Sequence, residues 1–136
     1  MITVYLSGRN DTEWQAPIRE LVQEAGTVMV LDPSECALTN VAAHTRWCLM
    51  ALGQSDIVFV YLENLQLIPH QSLTEIGIAR TLGKMIILVD EIGAWNPPSA
   101  LELSFARECA DVVLETIEEG HDTLLTFLGM MIPQEL

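Results

Sequence analysis

A chain of 136 residues with a hydrophobic fraction of 50% and a mean hydropathy of +0.32 suffices for one domain whose core needs neither disulfides nor metals. Its formal net charge of −13, from 19 acidic against 6 basic side chains, leaves too few cations to neutralise a phosphate backbone and excludes a polymeric nucleic-acid partner. No apolar run reaches the length of a membrane span and the opening MITVYLSGRN lacks the basic flank of a signal peptide, so a cytoplasmic protein without membrane attachment is expected.

Thr3–Leu6 reads as a first strand, closed by the turn Ser7-Gly8-Arg9-Asn10-Asp11. Thr12 or Asp11 is expected to cap a helix through Ala25, with Trp14, Ile18, Leu21 and Val22 at helical spacing and Gly26 ending it. Val28–Leu31 is a second strand, and Thr39 or Asn40 caps a second helix running to Leu52. Asp56–Tyr61 and Met85–Val89 are β-branched runs without polar alternation, the pattern of strands buried on both faces, and they flank a helix over Ser72–Gly83. Asp90 to Pro98 reads as a loop, after which Ser99 caps a helix to Cys109, Asp111–Leu114 forms the last strand and Ile117–Met131 the last helix. Five strands alternating with five helices predict a single α/β domain over residues 1–136, with a doubly wound, flavodoxin- or Rossmann-like parallel sheet of order 2-1-3-4-5.

In that order the chain reverses between the first and third strands, and their loops open a crevice at the carboxyl edge of the sheet. Tyr5, Ser7, Gly8 and Arg9 from the first loop, Glu63 from the third and Glu75 from the following helix are delivered there, with Asp90 ending the fourth strand. A carboxylate in a helix's first turn is held ionised by the macrodipole, which suits Glu75 to be a nucleophile or charge partner. A second carboxyl with a raised pKa would supply a proton. The bland reading stands beside it: Ser72-Leu73-Thr74-Glu75 has the spacing of a capping box, with Ser72 as N-cap. Gly77, inside the same helix, points to close approach of another backbone or a ligand.

Three cysteines, Cys36, Cys48 and Cys109, without CxxC spacing fit neither a disulfide framework nor a zinc site. His44 and Cys48 lie four apart on one face of the second helix and read as a helix-face histidine beside a buried thiol. No metal or organic cofactor is expected. The high apolar content points to a homo-oligomer, a dimer or larger.

The segments YLSG at Tyr5–Gly8, SDIVFV at Ser55–Val60 and T-E-I-G-I-A-x-x-x-G-K from Thr74 to Lys84 resemble the nucleoside 2-deoxyribosyltransferase superfamily, which includes deoxynucleoside 5′-monophosphate N-glycosidases. The resemblance implies cleavage or transfer at the N-glycosidic bond of a small nucleoside or nucleoside 5′-monophosphate. Glu75 would attack C1′ to form a covalent glycosyl ester, and Tyr5 would orient it. Glu63 or Asp90 would donate a proton or accept a sugar hydroxyl, Ser7, Gly8 and Ser72 would line the substrate, and Arg9 would meet a 5′-phosphate. Where family members often carry an aspartate, this chain has Cys48. Two other readings remain open: a nucleotide- or nucleoside-binding module without turnover, and a glycohydrolase of NAD-like dinucleotides.

Overall fold

Every residue of Ile57–Leu62 is buried, as an unbroken run of Ile, Val, Phe, Tyr and Leu requires of a strand covered on both faces. In the computed structural model, which describes residues 1–64 and 69–132, this run is β3, the central strand of a five-stranded parallel sheet of order β2-β1-β3-β4-β5. The expected order is the observed one. The other strands are β1 (Ile2–Ser7), β2 (Val28–Leu31), β4 (Met85–Asp90) and β5 (Val112–Leu114). Register places Ser7 beside Val60 and Leu62 beside Asp90, so three strand ends share the carboxyl edge.

Seven α-helices lie among the described residues: α1 (Gln15–Glu24), α2 (Val41–Gln54), α3 (His70–Thr81), α4 (Glu91–Trp95), α5 (Pro97–Glu102), α6 (Ser104–Cys109) and α7 (Ile117–Met131). Alternate strand residues point to opposite faces and meet different helices. Leu6, Phe59 and Val89 pack against Ile18 and Val22 of α1 and Leu124 and Leu128 of α7. Tyr5, Val58, Val60 and Leu88 pack against Ala51 and Leu52 of α2, Ile76 and Ala79 of α3 and Ala106 of α6.

Element boundaries differ from expectation where tertiary contacts override local signals. α1 starts at Gln15 rather than after Thr12, because the Trp14 ring is drawn into the core instead of leaving a polar residue to cap the helix. That ring stacks on Phe59 at 6.2 Å and meets Tyr61 edge-on at 5.3 Å. Asn40 does cap α2, accepting from Ala43 N at 3.1 Å, but the helix runs through Gly53 to Gln54. The expected loop after β4 contains α4, because Asp90 accepts from Gly93 N at 2.7 Å and starts a helical turn. The single helix expected over Ser99–Cys109 is two, α5 and α6, divided at the buried Leu103.

The opposite, amino edge of the sheet is tied by carboxylates that accept strand N–H groups. Asp56 Oδ2 takes Thr3 N at 2.8 Å and Asp111 Oδ2 takes Ile86 N at 2.7 Å. At that edge Lys84, the only lysine in the sequence, donates to Gly53 O at 2.9 Å. Among the described residues no helix is long and apolar enough to cross a membrane.

No neighbouring backbone or side chain approaches Gly77: a Cβ built there meets nothing within 4 Å. Gly77→Ala should therefore stabilise α3 by about 1 kcal/mol through helix propensity alone. A higher urea midpoint is the expected result, and a lowered one would mean that space beside Gly77 is needed.

Candidate active site

α2 and α3 both begin at the carboxyl edge and run back antiparallel to the strands, so their first turns flank the end of β1. Tyr5 and Ser7, two apart on β1, point to the α3 side and meet Glu75. Tyr5 Oη donates to Glu75 Oε2. Ser7 Oγ lies 3.0 Å from both Glu75 Oε1 and Ser72 Oγ, so Ser7 donates to the carboxylate and Ser72 to Ser7. The whole cluster is buried, Glu75 being only 5% exposed and Ser7 1%.

The capping-box reading of Ser72 and Glu75 fails. α3 begins at His70 with Pro69 before it, which makes Ser72 the third helical residue and Glu75 the sixth, in the second turn. Glu75 thus lies beyond the first-turn N–H groups that were expected to hold it ionised. Burial instead dominates and pushes its carboxyl above the usual carboxylate range, while the hydrogen bonds from Tyr5 and Ser7, the nearby His44 and Gln71 pull it back. Tyr5 is pushed far up by burial and by the adjacent Glu75 charge, so it stays a donor.

A part of the cluster that the sequence did not connect to Glu75 comes from α2. Cys48, 5% exposed, sits beside the Tyr5 hydroxyl closely enough for each to influence the other's ionisation, with its thiol 3.6 Å from His44 Nε2 and 4.0 Å from Gln71 Nε2. Burial raises this thiol as well. His44, Cys48, Tyr5 and Glu75 therefore lie side by side across two helices and a strand. The spacing of His44 and Cys48 showed that they share a helix face; nothing local in the sequence said that β1 would meet that face.

Two clefts adjoin the cluster and share Gln71. One, of about 190 Å³ between α2 and α3, is lined by Cys48, Leu49, Leu52, Gln71, Glu75 and Ile78 among others. The other, of about 520 Å³, lies between the β1–α1 loop and the first turn of α3, with Gly8, Arg9, Asp11, His70, Gln71 and Ser72 on its walls. Gly8 is required sterically, since a Cβ there would stand 2.5 Å from Trp14 Cζ2 and 3.0 Å from Tyr61 O. Trp14 Nε1 and Gln15 Nε2 each donate to Arg9 O at 2.8 Å and fix this loop over the crevice. The Arg9 guanidinium pairs with Asp11, Nε to Oδ1 at 2.8 Å.

The two other carboxylates expected at the site are engaged elsewhere. Glu63 is half-exposed and accepts from Thr12 Oγ1 at 3.1 Å, with no hydrogen bond to Glu75 or its donors. Asp90 is 1% exposed, and its oxygens are taken by Gly93 N and, at 3.2 Å, by Arg107 Nη1. It caps α4 from inside the fold.

Residues 1–92 match a family model described as nucleoside 2-deoxyribosyltransferase like. No curated protein matches the chain in sequence. Among solved structures, a CMP N-glycosidase of Clostridium botulinum superposes with a TM-score of 0.62 at 18% identity, over 96% of this chain and 99% of that one. A 2-deoxyribosyltransferase of Leishmania mexicana gives 0.60 at 18% identity over 67% of this chain, which spans 65% of that protein's length. A pilus assembly-related protein of Burkholderia pseudomallei gives 0.55 at 21% identity over 98% of this chain and 93% of its own. At these identities the likeness is one of fold.

Proposed function

The chain belongs to the nucleoside 2-deoxyribosyltransferase-like family, and from that premise we propose that it cleaves or transfers at the N-glycosidic bond of a small nucleoside or nucleoside 5′-monophosphate. The observation that carries the reading is the double hydrogen bond from Tyr5 and Ser7 to the buried Glu75. A capped helix surface needs no such arrangement, whereas a nucleophilic carboxylate must be held in one rotamer and kept ionised against burial. Both donors serve those ends.

Glu75 attacks C1′ of the sugar, the C1′–N bond breaks and the base departs with its electron pair, leaving a glycosyl ester. Water or a second base then attacks C1′ and releases the carboxylate, so two displacements retain configuration. The larger cleft, with Arg9 and the first turn of α3 on its walls, suits a 5′-phosphate, which would replace Asp11 as the partner of Arg9. The apolar wall of the smaller cleft, Leu49, Leu52 and Ile78, suits the face of a base.

Chromatographic detection of free base tests the proposal directly. The panel is deoxy- and ribonucleosides, their 5′-monophosphates and NAD, each with and without an acceptor base, using wild type and Glu75→Ala. Release that vanishes in the variant supports the glycosyl enzyme, and acceptor dependence separates transfer from hydrolysis. No release from any substrate overturns it.

The burial of Glu75, which favours its protonated and non-nucleophilic form, is the observation behind a second reading, a binding module without turnover. That reading predicts a ligand-induced rise in Tm with no base released.

Tyr5→Phe discriminates further. The Tyr5 hydroxyl lowers the Glu75 pKa, so its loss lets burial raise that pKa further and shrinks the ionised fraction at a given pH. The acid limb of kcat/KM against pH should move upward, with activity near neutrality falling about ten- to a hundredfold, as for loss of one charge-assisted hydrogen bond. A uniform loss with an unmoved limb would mean that Tyr5 does not bear on Glu75 ionisation.

A further inference from the structure

We propose that Gln71 sets the sugar preference of this site, its carboxamide accepting the 2′-hydroxyl of a ribonucleoside or ribonucleotide held on Glu75. The inference rests on the glycosidic reading above and names the sugar which that reading leaves open.

Among the described residues Gln71 alone stands on the walls of both clefts. With a base against Leu49, Leu52 and Ile78 and a 5′-phosphate beside Arg9, the part of the substrate that spans the clefts is the sugar. Gln71 also precedes Glu75 by four positions on α3, the spacing that makes two side chains neighbours on a helix surface. Its amide is close enough to help pull the Glu75 carboxyl back down.

Displacement fixes which sugar group meets this amide. Glu75 must approach C1′ from the face opposite the departing base. In a β-nucleoside that face carries the 2′-hydroxyl whenever the sugar is ribose. C2′ is bonded to C1′, so this hydroxyl comes to rest beside the attacking carboxylate, whereas the 3′-hydroxyl is one carbon further round the ring. Both Glu75 oxygens already accept, Oε2 from Tyr5 and Oε1 from Ser7. The hydroxyl therefore needs another partner, since leaving it unpaired on binding costs affinity.

The other polar side chains around the clefts are engaged. Thr45 Oγ1 donates to Val41 O at 2.8 Å and Thr74 Oγ1 to His70 O at 3.0 Å. Ser72 is bonded to Ser7, and Arg9 is paired with Asp11. Gln71 is exposed, and its Nε2 faces Cys48 Sγ at 4.0 Å. That contact points the amine end inward and leaves the carbonyl oxygen to accept from the sugar.

The test compares wild type with Gln71→Met, which keeps the length of the side chain and removes its hydrogen bonding. Base release is measured as kcat/KM on the ribo, 2′-deoxy and 3′-deoxy forms of whichever nucleoside or nucleotide the wild type accepts. Comparing the two proteins on each sugar cancels the intrinsic reactivity of the sugars. The ratio of ribo to 2′-deoxy activity should fall about tenfold in the variant, and the ratio of ribo to 3′-deoxy activity should stay where it was. An equal loss on all three sugars would mean that Gln71 only supports Glu75, and it overturns the proposal. So does a loss that follows the 3′-hydroxyl, no loss at all, or wild-type release from 2′-deoxy substrates alone. Each of those results leaves the glycosidic reading intact, whereas no base release by wild type from any sugar overturns both. Gln71→Leu repeats the comparison should the methionine variant not fold.

Discussion

Glu75→Gln should abolish base release, lowering kcat/KM by at least about 10³-fold, yet leave the protein folded and no less stable at neutral pH. The two halves of this expectation have one cause. Burial raises the folded-state pKa of Glu75 above that of the unfolded chain, so the native state binds the proton more tightly. Stability then falls as pH rises from the ordinary carboxylate range through the raised value, where the native state must hold a buried charge. A glutamine carries no charge and is spared that fall. Urea melts of both proteins at acid and neutral pH should show the variant gaining on the wild type as pH rises. If it loses ground instead, Tyr5 and Ser7 outweigh burial and Glu75 is a stabilising carboxylate. Base release retained by the variant would remove Glu75 from the chemistry altogether.

Trp14→Ala is expected to destabilise the domain by about 3–5 kcal/mol, the range for truncating a buried tryptophan. The ring is 8% exposed, packs on Phe59 and Tyr61 and fills the space that forbids a side chain at Gly8. Its loss also releases one of the two donors to Arg9 O, so the loop over the crevice loses a floor and a tether together. Trp14→Phe separates these: it retains most of the packing but not the Nε1 bond, and should raise KM with a much smaller change in urea midpoint. An unchanged KM in a folded Trp14→Phe would mean that the Gly8-Arg9 loop is positioned without the indole.

The sheet was legible because its strands are local runs of β-branched residues and because crossover rules leave few orders open to five parallel strands. Tyr5, Ser7 and Glu75 could be assembled at one strand end for the same reason: alternation along β1 fixes the face, and topology fixes the edge. The start of α3 was misplaced by two residues, because the Ser72–Glu75 spacing imitates a capping box while Pro69 supplies the real boundary. That error carried the ionisation of Glu75 with it, since the expected state depended on first-turn N–H groups. The capping role of Asp90 went unread because a carboxylate at a strand's carboxyl end is equally placed to cap the next helix, and α4 is too short to show a period. The contact of Cys48 with Tyr5 joins residues 43 positions apart and has no signature short of the folded packing.

Lys84 has a practical consequence for handling the protein. As the sequence's only lysine, bonded to Gly53 O at the amino edge of the sheet, it is the single side chain open to amine-directed conjugation. Attachment to a sensor surface through Lys84 holds the molecule by the amino edge of the sheet, opposite the edge that carries the crevice. Copies attached there, or through the exposed amine of Met1 at the start of β1 on the same edge, present the crevice to the flowing solution.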